Sequence, residues 1–98
     1  MLIHVRIFHH GVETLLAACD EGLLGKKYRE GEMILDIKES FYGGDLVEKM
    51  SLKDHIKEAS IINLVGETCV RAAVDMGMGS EEDIIEVEGI PHLQVVRM

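Results

Sequence analysis

The stretch Val12–Cys19, VETLLAAC, decides how the rest of the chain is interpreted. Apart from Glu13 and Thr14 its residues are apolar, which is typical of a central strand covered on both faces, although a buried helix gives the same pattern. Immediately before it, the apolar residues of Ile3–Ile7 occupy every second position, as in a half-buried strand, and His9–Gly11 has the composition of a turn. The start of the chain is therefore predicted to form a β-hairpin.

The hydrophobic period then changes from that of strands to that of helices and back. The predicted elements are a strand at Met33–Lys38, a helix that begins at Ser51, a longer helix over Asn63–Met76, and a closing hairpin of Ile84–Val87 and Leu93–Val96 with Pro91 in its turn. Residues 20–32 are interpreted as a long connection, and residues 51–77 as either one helix or two. Because strands and helices are grouped, the fold class is α+β: a mostly antiparallel sheet of about five strands with two helices packed on one face.

The bulk composition fits a single domain that spans residues 1–98 and is 47% apolar. The sequence has no apolar run of the ~20 residues that a membrane span requires and no signal-peptide pattern, so we expect a cytoplasmic protein without membrane contact. Cys19 and Cys69 are isolated and are interpreted as buried, reduced thiols. The formal net charge of −8 argues against broad, sequence-independent binding to nucleic acid.

The sequence does not contain a convincing catalytic or metal-binding pattern. His9 and His10 point apart on an extended chain, and in the predicted hairpin Cys19 lies far along the strand from both. We therefore predict no catalytic residue, no metal and no cofactor. An enzyme that acts on a small molecule is kept as the third hypothesis, with His92 and Asn63 as its polar centre.

The basic cluster GKKYR, residues 25–29, carries three cations around one tyrosine. Lysine and arginine bind phosphates, and a ring among them can stack on an unpaired base. We assign Lys26, Lys27, Tyr28 and Arg29 to a nucleic-acid contact. The alternative is a solvated, lysine-rich loop.

The stretch SFYGG, residues 40–44, lies about one strand length from that cluster and completes the predicted contact. Neighbouring side chains of a strand point to opposite faces, so Phe41 is predicted to be buried and Tyr42 to be an exposed ring. Gly43 and Gly44 permit a sharp turn, with one of them at positive φ, and let another backbone or a ligand come close.

Four stretches, AACDEGLLGKKYREGE, SFYGGDLV, ASIINLVGE and GIPHLQVVRM, resemble the archaeal family designated domain of unknown function 424. The resemblance spans essentially the whole chain. It implies an archaeal cytoplasmic protein and favours a link to translation. It implies no established activity, so no catalytic residue is carried over.

We therefore favour a small non-enzymatic module that contacts RNA, or an RNA–protein assembly, in translation. Its net acidity restricts this contact to a small, specific one. The alternative is a protein-interaction module that self-associates through its helices, where Gly66, Ala72 and Ala73 allow close helix approach.

Overall fold

A computed structural model describes residues 1–97. Over this range the chain forms eight strands and three helices: β1 Leu2–His10, β2 Glu13–Asp20, β3 Lys27–Glu30, β4 Met33–Asp36, α1 Glu39–Tyr42, β5 Asp45–Glu48, α2 Lys49–Glu58, β6 Ile61–Val65, α3 Glu67–Asp75, β7 Ile85–Val87 and β8 Ile90–Val96. A single 3-10 turn at Glu81–Asp83 precedes β7. The α+β class is confirmed. In the described part of the chain, no helix is long and apolar enough to cross a membrane.

Six strands form one sheet in the order β5-β1-β2-β6-β8-β7. Each neighbouring pair is antiparallel except β2 with β6, which run parallel. The first and the closing hairpins lie where the sequence predicts them, and in the first hairpin His4 lies opposite Cys19. The mostly antiparallel sheet is thus confirmed, with six strands instead of about five.

The helices α2 and α3 pack on one face of this sheet, as predicted. The sheet contributes Ile3, Val5, Leu16, Ala18, Ile62, Leu64 and Leu93 to the core on this face, and the helices contribute Leu52, Ile56, Cys69, Val70, Ala72 and Ala73. Ala72 and Ala73 are fully buried in the core. The small residues that were assigned to contact between copies therefore bring α3 close to its own sheet.

The opposite face of the sheet is covered in part by the β3–β4 hairpin and by α1. A second apolar cluster forms there from Ala17, Cys19, Leu35, Ile37, Tyr42, Val65 and Val87. The β3–β4 hairpin is a small sheet of its own, and two hydrogen bonds attach it to the β7–β8 turn. The Arg29 amide donates to the Glu88 carboxylate, and the Glu88 amide donates to the Glu30 carboxylate.

The predicted helix over Asn63–Met76 is wrong in its first part, because β6 occupies Ile61–Val65 and α3 begins only at Glu67. The residues of β6 pair with β2 on one side and with β8 on the other, and this pairing outweighs the helical spacing of the sequence. Gly66 ends the strand with φ 108°. Residues 51–77 therefore hold two helices with a strand between them.

A carboxylate from β2 fixes the start of α3. Asp20 accepts hydrogen bonds from the amides of Thr68 and Cys69, each at 2.9 Å. These amides have no partner inside the helix, so the carboxylate stabilises the helix end. A side chain at Gly66 would collide with this arrangement, because its Cβ would lie 2.4 Å from Asp20 Cγ.

Two further interpretations are wrong in detail. The connection over residues 20–32 contains β3, and the short strand β5 follows SFYGG without having been predicted. Strands of four residues are too short to show a clear period. Pro91 lies within β8, opposite Glu86, and the turn consists of Glu88 and Gly89, both with positive φ.

Candidate nucleic-acid interface

The predicted roles of Phe41 and Tyr42 are inverted. Tyr42 is 4% exposed and belongs to the second apolar cluster, whereas Phe41 is only partly buried. The prediction assumed a strand, in which neighbours point to opposite faces. Residues 39–42 instead form one helical turn, and that turn directs the tyrosine towards the sheet. The Tyr42 ring is therefore not a surface for stacking a base.

Phe41 instead forms an aromatic pair with Phe8 of β1. The two ring centroids lie 5.4 Å apart and the ring planes differ by 19°, which is a stacked arrangement. Tyr42 meets Phe41 edge-on, with centroids 4.9 Å apart. Both phenylalanine rings are partly exposed, so the pair forms a ring surface supported from beneath by Tyr42.

Phe8 begins a row of apolar side chains that crosses four strands. The register places Phe8 opposite Leu15, Leu15 beside Ile61, and Ile61 opposite Val96. None of the four is buried, and Val96 is 64% exposed. The β3–β4 hairpin and α1 therefore leave this end of the sheet uncovered.

The next row of the sheet is more polar and runs Arg6, Ala17, Asn63, Gln94 across the same four strands. We call the first row, the polar side chains of the second row and Phe41 the open sheet face; Ala17, between Arg6 and Asn63, is buried. It combines two aromatic rings with two amides and one guanidinium. Single-stranded RNA is recognised by such combinations, because unpaired bases stack on rings and offer their edges to hydrogen-bonding groups.

Asn63 is the centre of a hydrogen-bond network at the border of this face. Its Oδ1 accepts a bond of 2.6 Å from the Tyr42 hydroxyl and one of 3.0 Å from His92 Nε2. Because an amide oxygen can only accept, the neutral His92 ring carries its proton on Nε2, and Nδ1 is left as an acceptor. Burial lowers the pKa of His92, so this neutral form prevails at pH 7.

The network leaves one donor free at the open sheet face. The Asn63 amide nitrogen has no hydrogen-bond partner in residues 1–97 and is not sealed from solvent. Tyr42 and His92 hold the amide oxygen, so the orientation of the nitrogen is fixed. A fixed amide donor beside a ring pair is suited to reading the edge of a stacked base.

The two glycines of SFYGG do not occupy positive φ: Gly43 has φ −76°, and Gly44 is outside the positive region. Their predicted role in close backbone approach is confirmed. A Cβ at Gly44 would lie 2.0 Å from the Val5 carbonyl oxygen, and one at Gly43 would lie 2.5 Å from the Glu39 carbonyl oxygen. Both positions therefore exclude any side chain.

The basic cluster is divided by the alternation of β3. Lys26, Lys27 and Arg29 are exposed, whereas the Tyr28 ring packs inward against the second apolar cluster, opposite Leu35. In residues 1–97 these three cations form no ion pair with a carboxylate within 4.0 Å. They remain available to phosphates, but Tyr28 does not stand among them as the predicted ring.

The loop before β3 meets the glycines of SFYGG through Leu24, whereas none of the assigned residues Lys26, Lys27, Tyr28 and Arg29 lines the cavity between them. Leu24, Gly43 and Gly44 line the same cavity, together with His4, Arg6 and Glu39. The cavity lies next to the open sheet face, because Arg6 belongs to both.

One of the comparisons with known proteins identifies a family. The family model described as "Protein of unknown function (DUF424)" matches residues 8–98. The chain belongs to the DUF424 family. No curated protein matches it. A crystal structure of an uncharacterized conserved protein from the archaeon Methanopyrus kandleri resembles it with a TM-score of 0.78 and 29% identity, covering 100% of this chain and 95% of the other.

In this DUF424 protein His9 and His10 are not placed to activate the Cys19 thiol, and the histidine opposite Cys19 is His4. His9 and His10 lie opposite Thr14 and Glu13, at the far end of the hairpin from Cys19. Burial raises the pKa of Cys19 to about 12, with a smaller contribution from the neighbouring Asp20. The thiol therefore stays protonated at neutral pH. In the described residues, no three His, Cys, Asp or Glu side chains are grouped to hold a metal.

Sequence reasoning missed Phe8 as a site residue. The signal was present in β1, where Ile3, Val5 and Ile7 define one face and Phe8 belongs to the other, with His4 and Arg6. The prediction considered only the face of β1 that carries Ile3, Val5 and Ile7. Asn63 and His92 were noted as polar centres for an enzyme, and the structure joins them by a hydrogen bond.

Proposed function

We propose that this DUF424 protein is a small, non-enzymatic, cytoplasmic module that contacts a short single-stranded segment of RNA through the open sheet face. The observation that carries this proposal is the stacked pair of Phe8 and Phe41 on an uncovered part of the sheet. A nucleobase presents a flat face that stacks on an accessible aromatic ring.

The groups around the rings support contact with a base rather than with a generic apolar surface. Asn63 offers a fixed amide donor, His92 offers an acceptor nitrogen, and Gln94 is exposed in the same row. Stacking on rings tolerates any base, whereas hydrogen bonds to base edges confer preference. We infer that a stacked base adjacent to Asn63 is the one that the module reads.

The phosphate contacts are assigned to Lys26, Lys27 and Arg29, which are exposed and free of ion pairs in residues 1–97. The net charge of −8 argues for few phosphate contacts and a short bound segment. The resemblance to an archaeal family favours RNA of the translation apparatus as the source of that segment.

A second candidate function is a protein-interaction module. The observation that favours it is the sheet edge at β5, where Leu46 and the neighbouring Met50 are exposed. An edge strand offers unpaired backbone groups to another strand. A second copy of the chain would then join at β5, not at the buried alanines of α3, and size-exclusion chromatography would detect it.

Photochemical crosslinking tests the RNA proposal directly. Purified protein is irradiated with single-stranded RNA of about ten nucleotides, the order of site size for such domains, and the crosslinked peptides are mapped. We expect adducts on the peptides that contain Phe8 and Phe41. Adducts confined to other peptides, or none at low salt, would reject this face as the RNA contact.

A further inference from the structure

Two residues that line the cavity next to the open sheet face each carry a buried nitrogen atom without a partner. It has a volume of about 350 Å³ and is lined by His4, Arg6, Leu24, Glu39, Gly43 and Gly44. His4 Nδ1 and Arg6 Nε are buried, and neither has a hydrogen-bond partner. Buried polar atoms are nearly always paired, so the two unpaired nitrogens each indicate a missing partner, and for Arg6 Nε, which can only donate, that partner is an acceptor.

The chemistry of these nitrogens specifies the kind of acceptor. Arginine is always protonated, so Arg6 Nε always carries a hydrogen and the guanidinium a positive charge. The charge-assisted bonds that a guanidinium prefers are those to carboxylate or phosphate oxygens. Glu39 lines the cavity but forms no ion pair with Arg6 within 4.0 Å, so the charge of Arg6 is not neutralised from within the cavity.

Gly43 and Gly44 line the cavity where two stretches of backbone come close together. Gly44 lies against the backbone of Val5 and Arg6, and Gly43 lies against that of Glu39. Neither position can carry a side chain unless that backbone moves. The terminal nitrogens of Arg6 have no partner in residues 1–97 and, unlike Nε, are not sealed from solvent, so they can meet an oxyanion in the cavity.

We propose that this cavity is a phosphate-binding site in which Arg6 and His4 donate hydrogen bonds to the phosphate oxygens. The inference rests on the proposed function, because Arg6 and Phe8 lie two residues apart on the same face of β1, roughly 7 Å along the strand. One nucleotide can therefore place its base on Phe8 and a phosphate at Arg6. The phosphate belongs either to the RNA strand or to a free phosphate ion, and the experiment separates these sources.

The first arm uses inorganic phosphate alone, added at constant ionic strength with chloride as the reference anion. NMR follows the Arg6 Nε–H and His4 ring signals. We expect saturable shifts with phosphate that chloride does not produce. Arg6→Gln should weaken phosphate binding about tenfold or more, since a charge-assisted hydrogen bond is lost. Glu39→Gln should strengthen it severalfold, because a like charge leaves the cavity.

The matched control is Arg71→Gln, since Arg71 is a partly exposed arginine on α3 that pairs with Glu81. This change should leave the phosphate titration as it is. The amide spectrum shows whether Arg6→Gln disturbs the fold. If it does, the phosphate titration is repeated with the variants Arg6→Lys and Glu39→Gln. Shifts that are equal for phosphate and chloride, or that persist in Arg6→Gln, overturn the proposal.

The second arm measures RNA binding by the same variants and by Phe8→Leu, and it distinguishes a failure of the phosphate site from a failure of the proposed RNA function. If phosphate binds at Arg6 but RNA does not bind, the site takes a free phosphate ion and the proposed RNA function is wrong. If RNA binds in a manner that requires Phe8 but is indifferent to Arg6→Gln, and free phosphate does not bind, the phosphate site is wrong and the function remains.

Discussion

The Phe8 and Phe41 rings stack with their centroids 5.4 Å apart, although one belongs to a strand and the other to a short helical turn. Their contact holds α1 against the part of β1 where the cover of the sheet ends. It also leaves ring surface exposed at that place. The packing of the second sheet face and the proposed RNA contact thus depend on the same two side chains.

The buried Tyr42 hydroxyl should contribute measurably to stability. Burial raises its pKa, and it donates a 2.6 Å hydrogen bond to Asn63. We expect Tyr42→Phe to lower the free energy of unfolding by about 1 kcal/mol, measured by urea denaturation, because one buried hydrogen bond is lost. The control is Tyr28→Phe, whose hydroxyl has no partner in residues 1–97 and which should be near neutral. Equal losses of unfolding free energy in Tyr42→Phe and Tyr28→Phe would contradict the hydrogen bond between Tyr42 and Asn63.

Gly44 should tolerate no side chain. A Cβ there would lie 2.0 Å from the Val5 carbonyl oxygen, so the strand or the turn must move. We expect Gly44→Ala to destabilise the protein by about 3 kcal/mol, the upper range for overpacking. Gly11→Ala is the control, because nothing lies within 4 Å of its Cβ and only its φ of 60° opposes the change. That cost should be about 1 kcal/mol. A Gly11 effect as large as that at Gly44 would be inconsistent with the clash.

The buried thiols should make stability fall in alkali. Burial raises the pKa of Cys19 from 9.0 to about 12, and it raises that of Cys69 even further. Below pH 9 the thiols are protonated in both the folded and the unfolded state, so they add no pH dependence to the stability. Between pH 9 and 12 the unfolded thiol loses its proton while the folded one keeps it, and stability falls by about 1.4 kcal/mol per pH unit for each thiol.

The variant Cys19→Ala isolates this effect. Its free energy of unfolding, measured from pH 8 to pH 10.5, should fall less steeply than that of the wild type above pH 9, by about the slope of one thiol. Other groups that titrate in alkali are common to both proteins and cancel in the difference. Parallel slopes would show that Cys19 ionises in the folded state.

Whether the sequence could predict an element of this fold depends on whether the pattern that indicates it lies within one segment of the chain. The strands of the two hairpins were predictable, because their alternation is local, whereas the turn of the second was placed at Pro91 instead of Glu88 and Gly89. Strand β6 was not, since Ile62, Val65 and Cys69 have helical spacing and only the pairing with β2 and β8 makes the segment extended. Tertiary pairing of this kind is invisible in a single sequence.

The candidate site was predictable only in its components. The exposed cations and the close backbone approach at Gly44 followed from residue type. The exposure of Tyr42 did not, because it rested on treating residues 40–44 as a strand end. The pairing of Phe8 with Phe41 joins two elements that are distant in the chain, and no spacing rule connects them.

The lysines should set the salt dependence of RNA binding. We expect that changing Lys26 and Lys27 together to Ala flattens the plot of log affinity against log salt by about 1.4, the value for two contacts to a single strand. The matched control replaces Lys49 and Lys57 of α2, which are exposed on the opposite side of the sheet. That pair should leave the slope unchanged. An equal flattening of the slope in both double variants would indicate a general charge effect.

The most direct test of the RNA contact is a fluorescence anisotropy titration of a single-stranded RNA of about ten nucleotides. The proteins are the wild type, Phe8→Leu, Phe41→Leu and the control Met50→Ala, a residue that is 73% exposed on α2. Leucine keeps apolar packing over the sheet but removes the ring, and amide spectra verify the fold. We expect each ring substitution to weaken binding by roughly 1–3 kcal/mol and the control to bind like the wild type. Wild-type affinity in both Phe8→Leu and Phe41→Leu, or no binding by the wild type at low salt, would contradict the proposed RNA contact.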